Sequence, residues 1–127
     1  MLWLEAPASL EGVAALQAQA AAALAAAGPV LAGRGELVVE ELALNAVQHG
    51  GAAGLLRLGI DLEPAACTLV LEDQGGDFDP AAAEARPLQQ DDDRIGGLGL
   101  LLVQRFAKAL RHERIPGGNR TTLRLEA

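Results

Sequence analysis

Glu41 and Asn45 stand four residues apart, and Gln48 and His49 follow at i+7 and i+8 from the glutamate. On a helix these four side chains form one polar stripe. The surrounding residues Leu37, Val38, Val39, Leu42, Leu44 and Val47 point nearly all round, and a helix apolar on all sides is largely buried. A buried carboxylate and amide need partners. The stripe therefore faces a partner surface or a polar cavity, although a solvated stripe on a surface helix fits the pattern equally. In a cavity the chemistry is specific. An Asn oxygen can be the single protein ligand of Mg²⁺, which otherwise keeps waters and substrate phosphates. A Glu one turn away can polarise the water or hydroxyl that attacks a γ-phosphate.

Asp73 closes an apolar run and opens Asp73-Gln74-Gly75-Gly76-Asp77-Phe78-Asp79-Pro80. An aspartate followed by glycines at a strand end makes a turn. Alternatively, its carboxylate sits in a nucleotide pocket and accepts a hydrogen bond from the exocyclic amine of adenine, with Gly75 letting the backbone approach the base. Further on, Gly96-Gly97-Leu98-Gly99 precedes a strongly apolar segment. Glycines at a helix start expose backbone N–H groups to an anion, while a plain lid hinge would look the same. Neither a Walker A sequence nor a dinucleotide fingerprint is present. Arg94 is the cation best placed to turn toward a γ-phosphate, and Asp91-Asp92-Asp93 would face water.

Elements to hold these residues are legible. Strands are expected at 2–6, 54–62, 66–72, 110–115 and 120–126, and helices at 10–27, 34–48 and 98–110. Ser9 is a candidate cap for the first helix, Gly28-Pro29 ends it, and Gly50-Gly51 closes the second. Segment 74–95 is longer than an ordinary connection, which marks a functional lid or disorder. The hairpin-like spacings predict an α+β fold, a two-layer α/β sandwich with a mixed, mostly antiparallel sheet covered on one face by about three helices.

The chain has 127 residues, the size of one domain spanning 1–127. Its net charge of −7 and three aromatic residues, Trp3, Phe78 and Phe106, argue against direct nucleic-acid binding. Cys67 is the only cysteine, so no internal disulfide forms and a reducing compartment is allowed. The start of the chain lacks a basic segment, so no secretory signal is expected. The Ala-rich run at about 13–27 reads as too weakly apolar and too short to span a bilayer. A cytoplasmic protein without membrane attachment is expected.

Taken in order, three segments resemble the boxes of the GHKL ATPase superfamily (the Bergerat fold). EELALNAVQHG (40–50) resembles the asparagine box, DQGGDFDP (73–80) the first glycine box and RIGGLGLLLV (94–103) the second. PGGNRTTLRL (116–125) resembles the closing strands. The likeness covers about residues 35–125 and is strongest to the anti-sigma-factor serine/threonine kinases and their free-standing relatives. It implies that Glu41 is the catalytic base and Asn45 the Mg²⁺ ligand. It places His49 near the lid or phosphates, Asp73 and Gly75 at adenine, and Gly97 and Gly99 at the phosphates. It gives a closing-strand threonine, Thr121 or preferably Thr122, a supporting place at the adenine end.

The resemblance further implies ATP and Mg²⁺ as ligands, a short ATP lid at about 81–95, and a small antagonist-type protein domain or a sigma factor as partner. It also implies a homodimer, for which the Ala-rich helix offers a close-packing surface. Two other readings share these residues: a catalytically silent, nucleotide-gated binding module, and a detached histidine-kinase-like ATPase domain served by a separate histidine-bearing partner. No phosphoacceptor helical hairpin is seen, so a complete two-component kinase is not expected.

Overall fold

The first helix starts where the sequence marks it. The Ser9 hydroxyl accepts a hydrogen bond from the Gly12 amide at 3.0 Å, filling one of the donors that a helix start leaves open. The computed structural model describes residues 1–48, 53–76 and 95–127, with 95–100 by their backbone alone. In chain order these form β1 (Leu2–Pro7), α1 (Leu10–Leu24), a short 3-10 turn (Ala25–Ala27), α2 (Pro29–Gln48), β2 (Leu55–Glu63), β3 (Ala66–Asp73), α3 (Ile95–Phe106), β4 (Lys108–Ile115) and β5 (Gly118–Glu126).

Two helices begin earlier than expected. Helix α2 starts at Pro29 rather than near 34. Proline fits the first helical position, where its missing N–H is not needed. Gly33 and Gly35 both lie inside the helix. Gly35 has a packing reason to be there: a Cβ at this position would come within 2.7 Å of the Leu24 side chain. Helix α3 starts at Ile95 rather than 98 and ends at Phe106 rather than 110.

The strands form one sheet in the order β1-β2-β3-β5-β4. All four pairings are antiparallel, so the sheet contains no parallel pair among the described residues. Strand alternation sends Leu56, Leu58, Cys67, Leu69, Leu71, Leu123 and Leu125 to one face, where they join Leu16, Leu24, Val38, Leu42 and Val103 of the helices in a single core. The expected two-layer α+β sandwich is the architecture found. The other face carries Trp3 under the Arg57 guanidinium, 4.6 Å from the ring centroid. It also carries Glu72 between Arg57 and Arg120, at 2.8 Å from each.

Leu10–Ala27 is 18 residues long with mean hydropathy 1.3, enough by length and composition to cross a membrane. Length therefore does not exclude such a span, contrary to the sequence expectation. In the fold this stretch docks Val13, Leu16, Ala20 and Leu24 into the core.

Candidate functional site

Register determines which polar residues meet at one end of the sheet. Asp73 ends β3 opposite Asn119 of β5, and Leu55 begins β2 beside Gln74, whose side-chain oxygen accepts from the Leu55 amide at 3.0 Å. The chain reaches Leu55 from the end of α2 at Gln48 through residues 49–54.

Helix α3 is anchored at its C-terminal end. Its last residue, Phe106, lies under Arg34, 5.1 Å from the guanidinium carbon to the ring centroid. Arg34 also donates to the Glu126 carbonyl at 3.1 Å, which marks the opposite end of the sheet. From there α3 packs against α2.

Glu41 and Asn45 are 4% and 3% exposed. Glu41 Oε2 and Asn45 Nδ2 are buried without a hydrogen-bond partner, in contrast to the general rule for buried polar atoms. Burial, followed by the neighbouring Glu40 carboxylate, pushes the Glu41 carboxyl up from 4.5 to about 7. A proton acceptor that titrates near neutrality suits general-base work. The pair also fits Mg²⁺: a hard amide oxygen, presented directly or after half a turn of the carboxamide, beside a carboxylate. Among the described residues no group of three His, Cys, Asp or Glu side chains could hold a metal.

Asp73 serves both sequence readings at once. Its Oδ1 accepts from the Gly75 amide at 2.8 Å, closing the turn. The same oxygen accepts from Asn119 Nδ2 at 3.0 Å. Asn119 is 1% exposed, and its Nδ2 also reaches the Gly76 carbonyl at 2.7 Å. Its Oδ1 meets His112 Nε2 at 2.8 Å and Arg114 Nη1 at 3.1 Å. Arg114 in turn donates to the Gly75 carbonyl at 3.0 Å. Gly118 lets the strands close: a Cβ there would lie 1.8 Å from the Asp73 carbonyl oxygen.

Glu41 and Asn45 thus lie buried on α2, while Asp73 and Gly75 meet at the end of β3. Gly97 lies in the first turn of α3, where amides have no carbonyl partner inside the helix. Gly99 lies further in, where its amide belongs to the helical ladder. Thr122 lines a notch on the outer face with Thr68, Arg111 and Arg124. Strand alternation puts Thr121, 6% exposed, on the inner face with Asn119 and Asp73. His49, Arg94 and the expected lid up to residue 94 lie outside the described residues.

No curated protein matches the chain. In structure it is similar to the histidine kinase domain of the Erythrobacter litoralis EL346 blue-light activated histidine kinase, with 25% identity and a TM-score of 0.47 over 75% of this chain and 44% of that one. A second structure, of the Erythrobacter litoralis EL346 blue-light activated histidine kinase, gives 24% identity and a TM-score of 0.46 over 75% and 32%. The chain thus spans less than half the length of either. The sequence profile of the histidine kinase-like ATPase domain matches residues 6–125, and the chain belongs to that family.

Proposed function

We propose that this domain binds Mg-ATP at the Asp73 end of the sandwich and transfers the γ-phosphoryl group to a serine or threonine of a small antagonist-type protein domain, in the manner of the anti-sigma-factor kinases. The observation that carries this reading is the buried pair Glu41 and Asn45, whose Oε2 and Nδ2 have no hydrogen-bond partner. Family membership supports the nucleotide, and the likeness of the three boxes to the anti-sigma kinases supports the acceptor.

Each residue has a task. Asp73 accepts the adenine amine through Oδ2, since Oδ1 is committed to Gly75 and Asn119. The amides of the first turn of α3 point positive dipole toward the phosphates. Asn45 presents its amide oxygen to Mg²⁺, whose charge neutralises phosphate oxygens when it is bound. Glu41 takes the proton of the acceptor hydroxyl as that oxygen bonds to the γ-phosphorus. The bond from the γ-phosphorus to its bridging oxygen breaks, and ADP leaves with the electron pair.

Incubating the protein with γ-labelled ATP and candidate partner domains tests the assignment. Labelled partner from wild type and none from Glu41→Gln, with ATP affinity kept, is the expected result. ATP binding without transfer to any partner would favour a nucleotide-gated binding module, and label on a partner histidine would favour a detached histidine-kinase-like domain.

A further inference from the structure

We infer that Asn119 is the residue that sets adenine preference, by holding Asp73 in the orientation that reads the base; this rests on the adenine role of Asp73 proposed above. The Asn119 amide can be oriented in one way only. Its Nδ2 faces three acceptors: Asp73 Oδ1 at 3.0 Å, the Gly76 carbonyl at 2.7 Å and the Gly75 carbonyl at 3.5 Å. Its Oδ1 faces Arg114 Nη1 at 3.1 Å and His112 Nε2 at 2.8 Å. An amide turned over would put oxygen against three oxygens and its NH₂ against the Arg114 donor.

Two consequences follow for the pocket. With Oδ1 of Asp73 occupied by Gly75 and Asn119, the carboxylate cannot rotate without breaking two part-buried hydrogen bonds. Its Oδ2, which receives no hydrogen bond from a described residue, is left to accept an exocyclic amine. The same amide clamps the Gly75 and Gly76 carbonyls, so the backbone that passes the base is fixed by β5. Asn119 is itself 1% exposed and its donors are used, so it positions Asp73 and does not touch the base.

The test compares ATP with purine riboside triphosphate, which lacks the exocyclic amine, by calorimetry with Mg²⁺ present. Wild type should prefer ATP. Asn119→Ala should lose roughly tenfold in ATP affinity, about the effect of one hydrogen bond to a charged group, and keep its affinity for the analogue. A loss equal for both nucleotides would mark a merely structural role and overturn the inference, as would an unchanged preference. Should that variant fail to fold, Arg114→Gln serves, since Arg114 is exposed and holds both Asn119 Oδ1 and the Gly75 carbonyl. A smaller fall in ATP preference, about two- to threefold, is expected there, and an unchanged preference counts against the inference. Wild type that binds neither nucleotide overturns the proposed function itself. Wild type that binds both equally removes only the adenine role of Asp73 and, with it, that of Asn119.

Discussion

The Arg34 guanidinium covers the Phe106 ring at 5.1 Å and also holds the Glu126 carbonyl, so one side chain pins the end of α3 to the end of β5. This contact fixes the C-terminal end of α3 against α2 and β5. Such a contact is worth about 0.5–1 kcal/mol at an exposed site. Arg34→Ala should lower the urea midpoint slightly but weaken ATP binding measurably, because the phosphate-facing turn loses its anchor. A loss of stability without loss of affinity would separate α3 placement from nucleotide binding.

Glu41 gives a pH signature. Folded Glu41 keeps its proton up to about pH 7, whereas the unfolded side chain releases it near 4.5. Between these values the folded state holds the extra proton, so stability is full below the lower one and falls as pH rises toward 7. At ~1.4 kcal/mol per unit, and with allowance for solvent screening, the loss is on the order of 2 kcal/mol. Glu41→Gln should flatten this slope and be the more stable form at about pH 8. Parallel slopes in urea titrations of the two proteins would contradict the burial assigned to Glu41.

Asp73→Asn tests the adenine end. The new amide keeps its oxygen toward Gly75 and Asn119, which leaves an NH₂ where Oδ2 stood. A donor then faces the donor of the base, and ATP affinity should fall by about 1–3 kcal/mol with the melting temperature nearly kept. Unchanged calorimetric affinity would remove Asp73 from the site.

Gly118→Ala should destabilise the fold. Its Cβ would sit 1.8 Å from the Asp73 carbonyl oxygen and 2.9 Å from the Gln74 Cα, both backbone atoms that cannot step aside. Forcing β3 and β5 apart should cost on the order of 1–3 kcal/mol in chemical denaturation, and a neutral result would mean that the strands are not so closely joined.

Much of this arrangement is legible in the sequence. Strand alternation and turn residues locate all five strands to within a few residues, and the polar stripe Glu41–Asn45 stands out against an apolar helix. What is not legible arises from tertiary contacts. The extra turn from Pro29 is not expected from the sequence; inside the longer helix Gly35 faces Leu24. Gly97 falls before the expected start of α3 at 98, yet the helix begins at Ile95. Asn119 was the missed residue, and a signal for it exists. Counting back by two from the core residues Leu125 and Leu123 gives Thr121 and Asn119, which puts an amide on the inner face beside Asp73 and leaves Thr122 outside. Its orientation depends on His112 and Arg114, which only the fold brings near.

Nucleotide binding that depends on Asn45 and Asp73 is the central claim, and calorimetric titration of the whole chain with ATP, with and without Mg²⁺, addresses it most directly. Wild type should bind one equivalent more tightly with Mg²⁺ present, Asn45→Ala should lose the Mg²⁺-dependent gain, and Asp73→Asn should bind weakly in both conditions. Absence of heat on titrating folded wild type with Mg-ATP, or equal binding by all three proteins, would contradict the account.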